Sequence, residues 1–353
     1  MLFCTAIGRC ILPLIILLFA GCAGIQPWLD NYGLNQTAQT ILREPITGSP
    51  ENLRAFLDTA VLEVVTRPPA NIPFIKKPLD HWRLGTSALG TVIASEYLFE
   101  SGFSNKNRTD TARYYLYRTG PLQNGKVIIW IPGMGVSDFA FNFIRKFFLI
   151  ALDNRYAVAV YIPPFHMERR LSGRANGDAF FGADPLSNIQ VMLGMVRELR
   201  IITDHLSSQG VTAIGGWGGS MGATALLLMS TFRPLDHVAI MIPVVDWVTL
   251  VCNNPHFISG NKKLEANGYD ADLLRRTYGF ISPVNYTVLI DPHRFEILYA
   301  RHDQLTPEAI TVGYAKKNGF TLISGYDRSH TTILLTSEMY REYDRFLKSM
   351  QEQ

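Results

Sequence analysis

From Ala112 onward, short apolar runs alternate with longer stretches whose apolar positions recur every three or four residues. TARYYLYRT reads as a strand, and GKVIIWIPGMG as a second strand ending in a glycine-rich loop. SDFAFNFIRKFFLIALDN then carries the helical period, and YAVAVYIPPFH returns to a strand. DPLSNIQVMLGMVRELRIITDHLSSQG predicts a long helix, with Asp184 at its N-cap and Pro185 in its first turn. The strand VTAIGGW, a helix after Ser220 and the strand HVAIMIPVVD extend the alternation. FEILYA, the helix TPEAITVGYAKKNG, the strand FTLIS and a last helix from Thr332 to Met350 complete it. VIIWI, YAVAVYI, VTAIGG, HVAIMIPV and FEILYA are apolar on both faces, as parallel strands covered by helices on both sides must be. The expectation is an α/β fold with a mostly parallel central sheet flanked by helices. Ligands in such sheets sit beyond the carboxyl ends of the strands, so chemistry is sought directly after each strand.

Upstream the pattern is less regular. Leu53, Phe56, Leu57, Ala60, Val61, Val64 and Val65 fall on one helical face. Thr66 to Pro78 holds four prolines and reads as an extended connection. Residues 51–110 are thus expected as an N-terminal helical extension of one domain over 51–353, and the polar, turn-rich residues 22–50 as a tether. The stretch between Asp246 and Phe295 exceeds what one crossing helix needs. Its mixed aromatic, aliphatic and polar segments predict a small helical cap over 247–293; a crossover helix with a longer surface loop is the other reading.

Residues 1–21 stand apart. Arg9, the apolar run from Ile11 to Ala20 and the small-residue exit GCAG have the layout of a secretory signal. The run is shorter than the roughly 20 apolar residues a membrane span requires. Phe19-Ala20-Gly21 before Cys22 resembles the lipobox of bacterial lipoproteins, although Phe19 replaces the more usual aliphatic residue. That resemblance implies a diacylglyceryl group on the Cys22 thiol and a membrane attachment through it. Ala23 supplies no acidic retention signal of the inner-membrane kind, so the implied location is the outer membrane, facing the periplasm. With Cys22 as the mature start only Cys252 stays unmodified, which excludes an intramolecular disulfide. A hydrophobic fraction of 47% and a charged fraction of 18% are those of a globular protein. A net charge of +3, with no Lys/Arg run longer than two, argues against a nucleic-acid partner.

Gly218-Gly219-Ser220-Met221-Gly222 matches G-x-S-x-G between a predicted strand and a predicted helix. In a nucleophile elbow the serine occupies a strained turn, so Gly218 and Gly222 have to be small. The helix amino terminus favours negative charge beside it. A plain tight turn with a serine N-cap would use the same glycines. A serine hydroxyl is a weak nucleophile and needs a base within hydrogen-bonding reach. Of the eight histidines, His330 follows FTLIS and the polar loop GYDRS and precedes the final helix, at the edge where the serine lies. His166, after YAVAVYIPPF, reads as a loop residue that could line the site. Asp303 comes directly after FEILYA and is the carboxylate expected to orient His330; Asp246, ending HVAIMIPVVD, is its rival. The oxyanion donors expected are the backbone N–H groups of Met221 and, in the loop IPGMGVS, of Met134. PGMG is otherwise a simple β-to-α turn.

From about Ala112 to its carboxyl end the chain resembles an α/β-hydrolase, through PGMG, GGSMG, RHDQLTP and GYDRSH in that order. PGMG lacks the histidine that commonly opens the oxyanion loop, which leaves the subfamily open. The resemblance implies cleavage of a carboxylic ester through an acyl-enzyme, with no metal and no organic cofactor. A small-molecule or lipid ester is the substrate class implied, the lipid-like one by the anchor and the apolar cap. The same triad would serve a thioesterase, a peptidase or an acyltransferase. A non-catalytic, membrane-anchored binding lipoprotein on this fold also stays open. Arg169, Arg170 and Arg174 either meet an acidic headgroup or belong to a solvated loop.

Overall fold

The computed structural model describes residues 26–79, 86–105, 108–136 and 138–352. The expected signal peptide and the lipidation site Cys22 lie outside the described residues. The described chain begins with helices α1 (Gln26–Arg43), α2 (Pro50–Thr59) and the short α3 (Leu62–Val65). Strand β1 (Ile75–Pro78) and a small hairpin, β2 (Thr86–Ser87) with β3 (Gly90–Thr91), follow. The long strands β4 (Ile93–Asn105) and β5 (Arg108–Arg118) come next. Strands and helices then alternate: β6 (Lys126–Ile131), α4 (Asp138–Asp153), β7 (Tyr156–Ile162) and α5 (Pro185–Ser208). After these come β8 (Ala213–Gly219), α6 (Met221–Met229) and β9 (Val238–Met241). A helical insertion containing α7 (Ile258–Glu265) and α8 (Ala271–Phe280) leads to β10 (Phe295–Ala300). The chain ends with α9 (Glu308–Asn318), β11 (Leu322–Tyr326) and α10 (Ser337–Glu352).

Among the described residues the main sheet has nine strands in the order β1-β4-β5-β7-β6-β8-β9-β10-β11. The run from β7 to β11 is parallel, and β5, β4 and β1 add antiparallel to its β7 edge. Period-two alternation divides the apolar residues of β6 between two cores. Val127, Ile129 and Ile131 pack on the face covered by α5 and α6, and Ile128 and Trp130 on the face covered by α4 and α10. On the second face Trp130 and Trp217 stack with ring centroids 4.8 Å apart. Asp184 caps α5 by accepting from Leu186 N, with Pro185 in the first turn, as its sequence specifies.

Two expectations for the amino-terminal third are corrected. Residues 22–50 do not form a tether over their described part, because α1 is a helix packed into the body with Leu29, Leu34, Ala38 and Ile41 buried. Its helical period is weak in the sequence because polar Gln26 and Asp30 are buried while Trp28 and Tyr32 stack on the exposed side. Residues 51–110 are not a helical extension throughout, since β1 and β4 belong to the main sheet. The polar residues of β4 find distant partners: Glu96 accepts from Arg113 at 2.9 Å, and Ser101 bonds Glu198. Strand β9 also ends at Met241, short of Asp246, where Ile242 takes a positive φ of 44°. Among the described residues no helix is long and apolar enough to cross a membrane.

Candidate active site

The parallel strands β8 and β10 and the loops after β10 and β11 bring three side chains together beyond the carboxyl edge of the sheet. Ser220 follows β8 directly and has φ 50° and ψ −117°, a conformation that non-glycine residues rarely hold. Such strain costs on the order of 1–3 kcal/mol and persists only where the surroundings enforce it. Here the enforcement is close packing. A Cβ on Gly222 would lie 2.5 Å from Ile131 O and 2.6 Å from Pro132 O, and one on Gly218 would lie 2.9 Å from Ala223 N. Both elbow positions therefore exclude any side chain. Ser220 N donates to Met241 O at 2.9 Å, which fixes the turn to β9. Helix α6 begins at Met221, so its first N–H groups have no intrahelical acceptor and face the serine's surroundings.

His330 Nε2 lies 2.9 Å from Ser220 Oγ, and His330 Nδ1 lies 2.8 Å from Asp303 Oδ2. An ionised carboxylate only accepts, so Nδ1 carries the proton and Nε2 is left to accept from the serine hydroxyl. Asp303 is buried and held by its own loop. Its Oδ1 accepts from Leu305 N and Thr306 N, each at 2.8 Å, and its Oδ2 accepts from Thr306 Oγ1 at 2.6 Å. Burial opposes charge on His330, but the Asp303 charge and hydrogen bond outweigh it, and the Asp30 charge adds to them. The imidazole consequently titrates above the ordinary histidine range. Asp246, the rival acid, bonds elsewhere: it accepts from Val248 N at 3.0 Å and from Thr249 N at 3.1 Å and Thr249 Oγ1 at 2.6 Å. It caps the first turn of the insertion.

Met134 and Met221 border the same cavity as Ser220 and His330. The backbone of Gly133 comes so close that a Cβ there would sit 3.3 Å from Ser220 Cβ. His166 is completely buried beneath this loop rather than solvated. Its Nδ1 donates to Pro164 O at 2.8 Å, so its Nε2 accepts from Gly135 N at 3.0 Å. Burial pushes its pKa down to about 4, so the ring stays neutral and keeps its acceptor at neutral pH. The headgroup reading fails for Arg169: it is buried against Glu198 at 2.7 Å and Asp110, beneath the sheet edge. Arg174 pairs with Glu44 at 3.5 Å on the surface.

The cavity beside Ser220 has a volume of about 190 Å³. Trp247, Leu250, Val251 and Phe257 of the insertion form one wall, and Phe181 stacks on Trp247 with centroids 5.6 Å apart. The opposite wall comes from α1, through Asp30, Gly33, Leu34 and Thr37. Sequence reasoning had not connected α1 with the site. The sequence holds only part of the signal: Leu34, Ala38 and Ile41 are spaced for one helical face, but the polar Asp30 that continues it reads as a solvent-facing residue.

No protein-family model matches the chain, and neither does any curated protein. Similarity is found among solved structures. An acetyl xylan esterase from Paenibacillus sp. R4 is similar over 89% of this chain and 98% of its own, with 14% identity and a TM-score of 0.55. An acylaminoacyl peptidase from Pyrococcus horikoshii is similar over 75% of this chain and 42% of its own, with 13% identity and a TM-score of 0.51. At these identities the likeness is one of fold: the chain has the α/β-hydrolase fold, with its mostly parallel sheet flanked by helices.

Proposed function

We propose that the chain is a serine hydrolase that cleaves a carboxylic ester through an acyl-enzyme intermediate. The observation that carries this reading is the hydrogen-bonded series Ser220–His330–Asp303, set at the mouth of an apolar cavity. His330 Nε2 takes the proton from Ser220 Oγ as the oxygen attacks the ester carbonyl. Asp303 holds the tautomer and stabilises the imidazolium. The N–H groups of Met134 and Met221 receive the charge that develops on the carbonyl oxygen. The imidazolium then returns its proton to the departing alkoxide, and water attacks the acyl-enzyme by the reverse sequence. No metal or organic cofactor has a role in this chemistry.

The cavity argues for a compact acyl group. At about 190 Å³ it only modestly exceeds the roughly 150 Å³ that holds a benzene ring in an engineered protein cavity. A lipid-like substrate would then place a short acyl group in the pocket and its larger part outside. Turnover of p-nitrophenyl esters from acetate to dodecanoate tests this, with the optimum expected among the short chains. Turnover of amides or thioesters with no ester turnover would overturn the ester assignment. We further place the mature chain on the periplasmic face of the outer membrane through a lipid on Cys22, a reading supported by residues 1–23 alone. Labelled palmitate should enter the wild type and be absent from Cys22→Ser; equal labelling of both would refute it.

A further inference from the structure

We propose that helix α1 completes the active site, with Asp30 as a positioning residue that clamps the acid and histidine loops together; this rests on the hydrolase reading above. Asp30 is 1% exposed and makes four bonds, all to the two loops that carry Asp303 and His330. Its Oδ2 accepts from His330 N at 2.9 Å and from Gln304 N at 3.2 Å. Its Oδ1 accepts from Thr331 N at 3.0 Å and from Thr331 Oγ1 at 2.9 Å. One carboxylate thus grips His330 itself and the neighbour of Asp303. One turn earlier, Gln26 Oε1 accepts from Ser329 N at 3.0 Å and bonds the Thr332 hydroxyl. Residues four apart share a helix face, so α1 presents two side-chain acceptors in a row to residues 329–332.

Burying a carboxylate is costly unless its oxygens are hydrogen-bonded. Asp30 meets that requirement with N–H and O–H donors from loops about three hundred residues away in sequence, and not by capping its own helix. The same face continues into Leu34 and Thr37, which wall the cavity. Clamp and substrate wall are therefore one rigid element. The charged or titratable groups facing the His330 ring are Asp303 from the acid loop and Asp30 from α1, with Ser220 from the elbow. On its own loop, Asp327 is paired with His302, and Arg328 donates to Asp327 O at 3.1 Å. Asp30 thus acts on His330 in two ways: it fixes the main chain that carries the ring, and its charge favours the imidazolium formed during the reaction.

The test is Asp30→Asn in the full chain, assayed on p-nitrophenyl acetate across pH. A displacement of about 1 Å at a reacting group can lower turnover about 100-fold. The expected result is a kcat fall of that order with little change in KM, and an acidic limb of kcat/KM moved to lower pH. Asp30→Glu, which keeps the charge, should return the limb towards its wild-type position. A folded Asp30→Asn with wild-type kcat and limb, even with a lowered Tm, would overturn the proposal. Hydrogen exchange of the wild type supplies an arm that needs no variant. The amides of Gln304, His330 and Thr331 should be protected, and exchange at open-loop rates would overturn the clamp. A wild type that turns over no ester, amide or thioester and takes up no fluorophosphonate would instead defeat the hydrolase reading, while the exchange arm still decides the clamp.

Discussion

Replacing Asp303 by Asn separates the two carboxylates that the sequence offers as partners for His330. An asparagine can keep its Oδ1 towards Leu305 N and Thr306 N, which Asp303 Oδ1 meets at 2.8 Å, so the loop survives. Its amide would then turn an N–H donor towards His330 Nδ1, where Asp303 Oδ2 now accepts at 2.8 Å. The imidazole must respond by carrying its proton on Nε2, and a protonated Nε2 cannot accept from Ser220. In a serine triad the equivalent change lowers kcat about 10⁴-fold, or about 5 kcal/mol of barrier. Asp246→Ala should behave differently, because Asp246 only caps the first turn of the insertion. Losing such a cap costs about 1 kcal/mol of stability, read as a lower Tm. Steady-state hydrolysis of p-nitrophenyl acetate by both variants decides the matter. An Asp303→Asn enzyme within tenfold of wild type, or an Asp246→Ala enzyme that loses as much kcat as Asp303→Asn, would refute the assignment.

The pH profile follows from the raised pKa of His330. The neutral ring is the active base, so activity is present above that pKa and lost as pH falls through it; the acidic limb of kcat/KM should lie above the ordinary histidine value of about 6.5. A limb below that value would contradict the electrostatics, since buried His166 and His237 are pushed down to about 4 and about 3 and stay neutral throughout. Gly222→Ala drives a methyl group into Ile131 O and Pro132 O, and overpacking of this kind typically costs 1–3 kcal/mol. Its Tm and its rate of acylation should both fall, and wild-type values for both would show that the elbow is not close-packed. Gly33 stands at the rim of the cavity, and a Cβ there meets nothing within 4 Å. Gly33→Leu should leave folding intact and raise KM for longer acyl chains more than for acetate; an unchanged chain-length profile would remove α1 from the substrate wall.

How far the sequence could be read depended on whether a residue's partners were local. The parallel strands announce themselves because both faces of β6 and β7 are buried in apolar cores, leaving almost no polar position within them. Ser220, Asp303 and His330 were legible because each follows its own strand, and that topology alone carries them to one edge. Strand β4 was missed for the opposite reason. Glu96 and Ser101 look like surface residues until Arg113 and Glu198 arrive from elsewhere in the chain. Helix α1 was misread in the same way, since Gln26 and Asp30 are buried only against loops from the far end of the sequence. In the sequence His166 reads as a loop residue, and only the hydrogen bond from Gly135 N shows what its ring holds in place.

The most direct measurement is intact-mass and peptide mapping after reaction with a fluorophosphonate. The wild type should take up one phosphonyl group, on Ser220, and His330→Ala should label far more slowly. Ser220→Ala should take up none while keeping the wild-type circular dichroism. A folded wild type that stays unlabelled, or one labelled at another residue, would contradict the assignment of Ser220 as a nucleophile activated by His330.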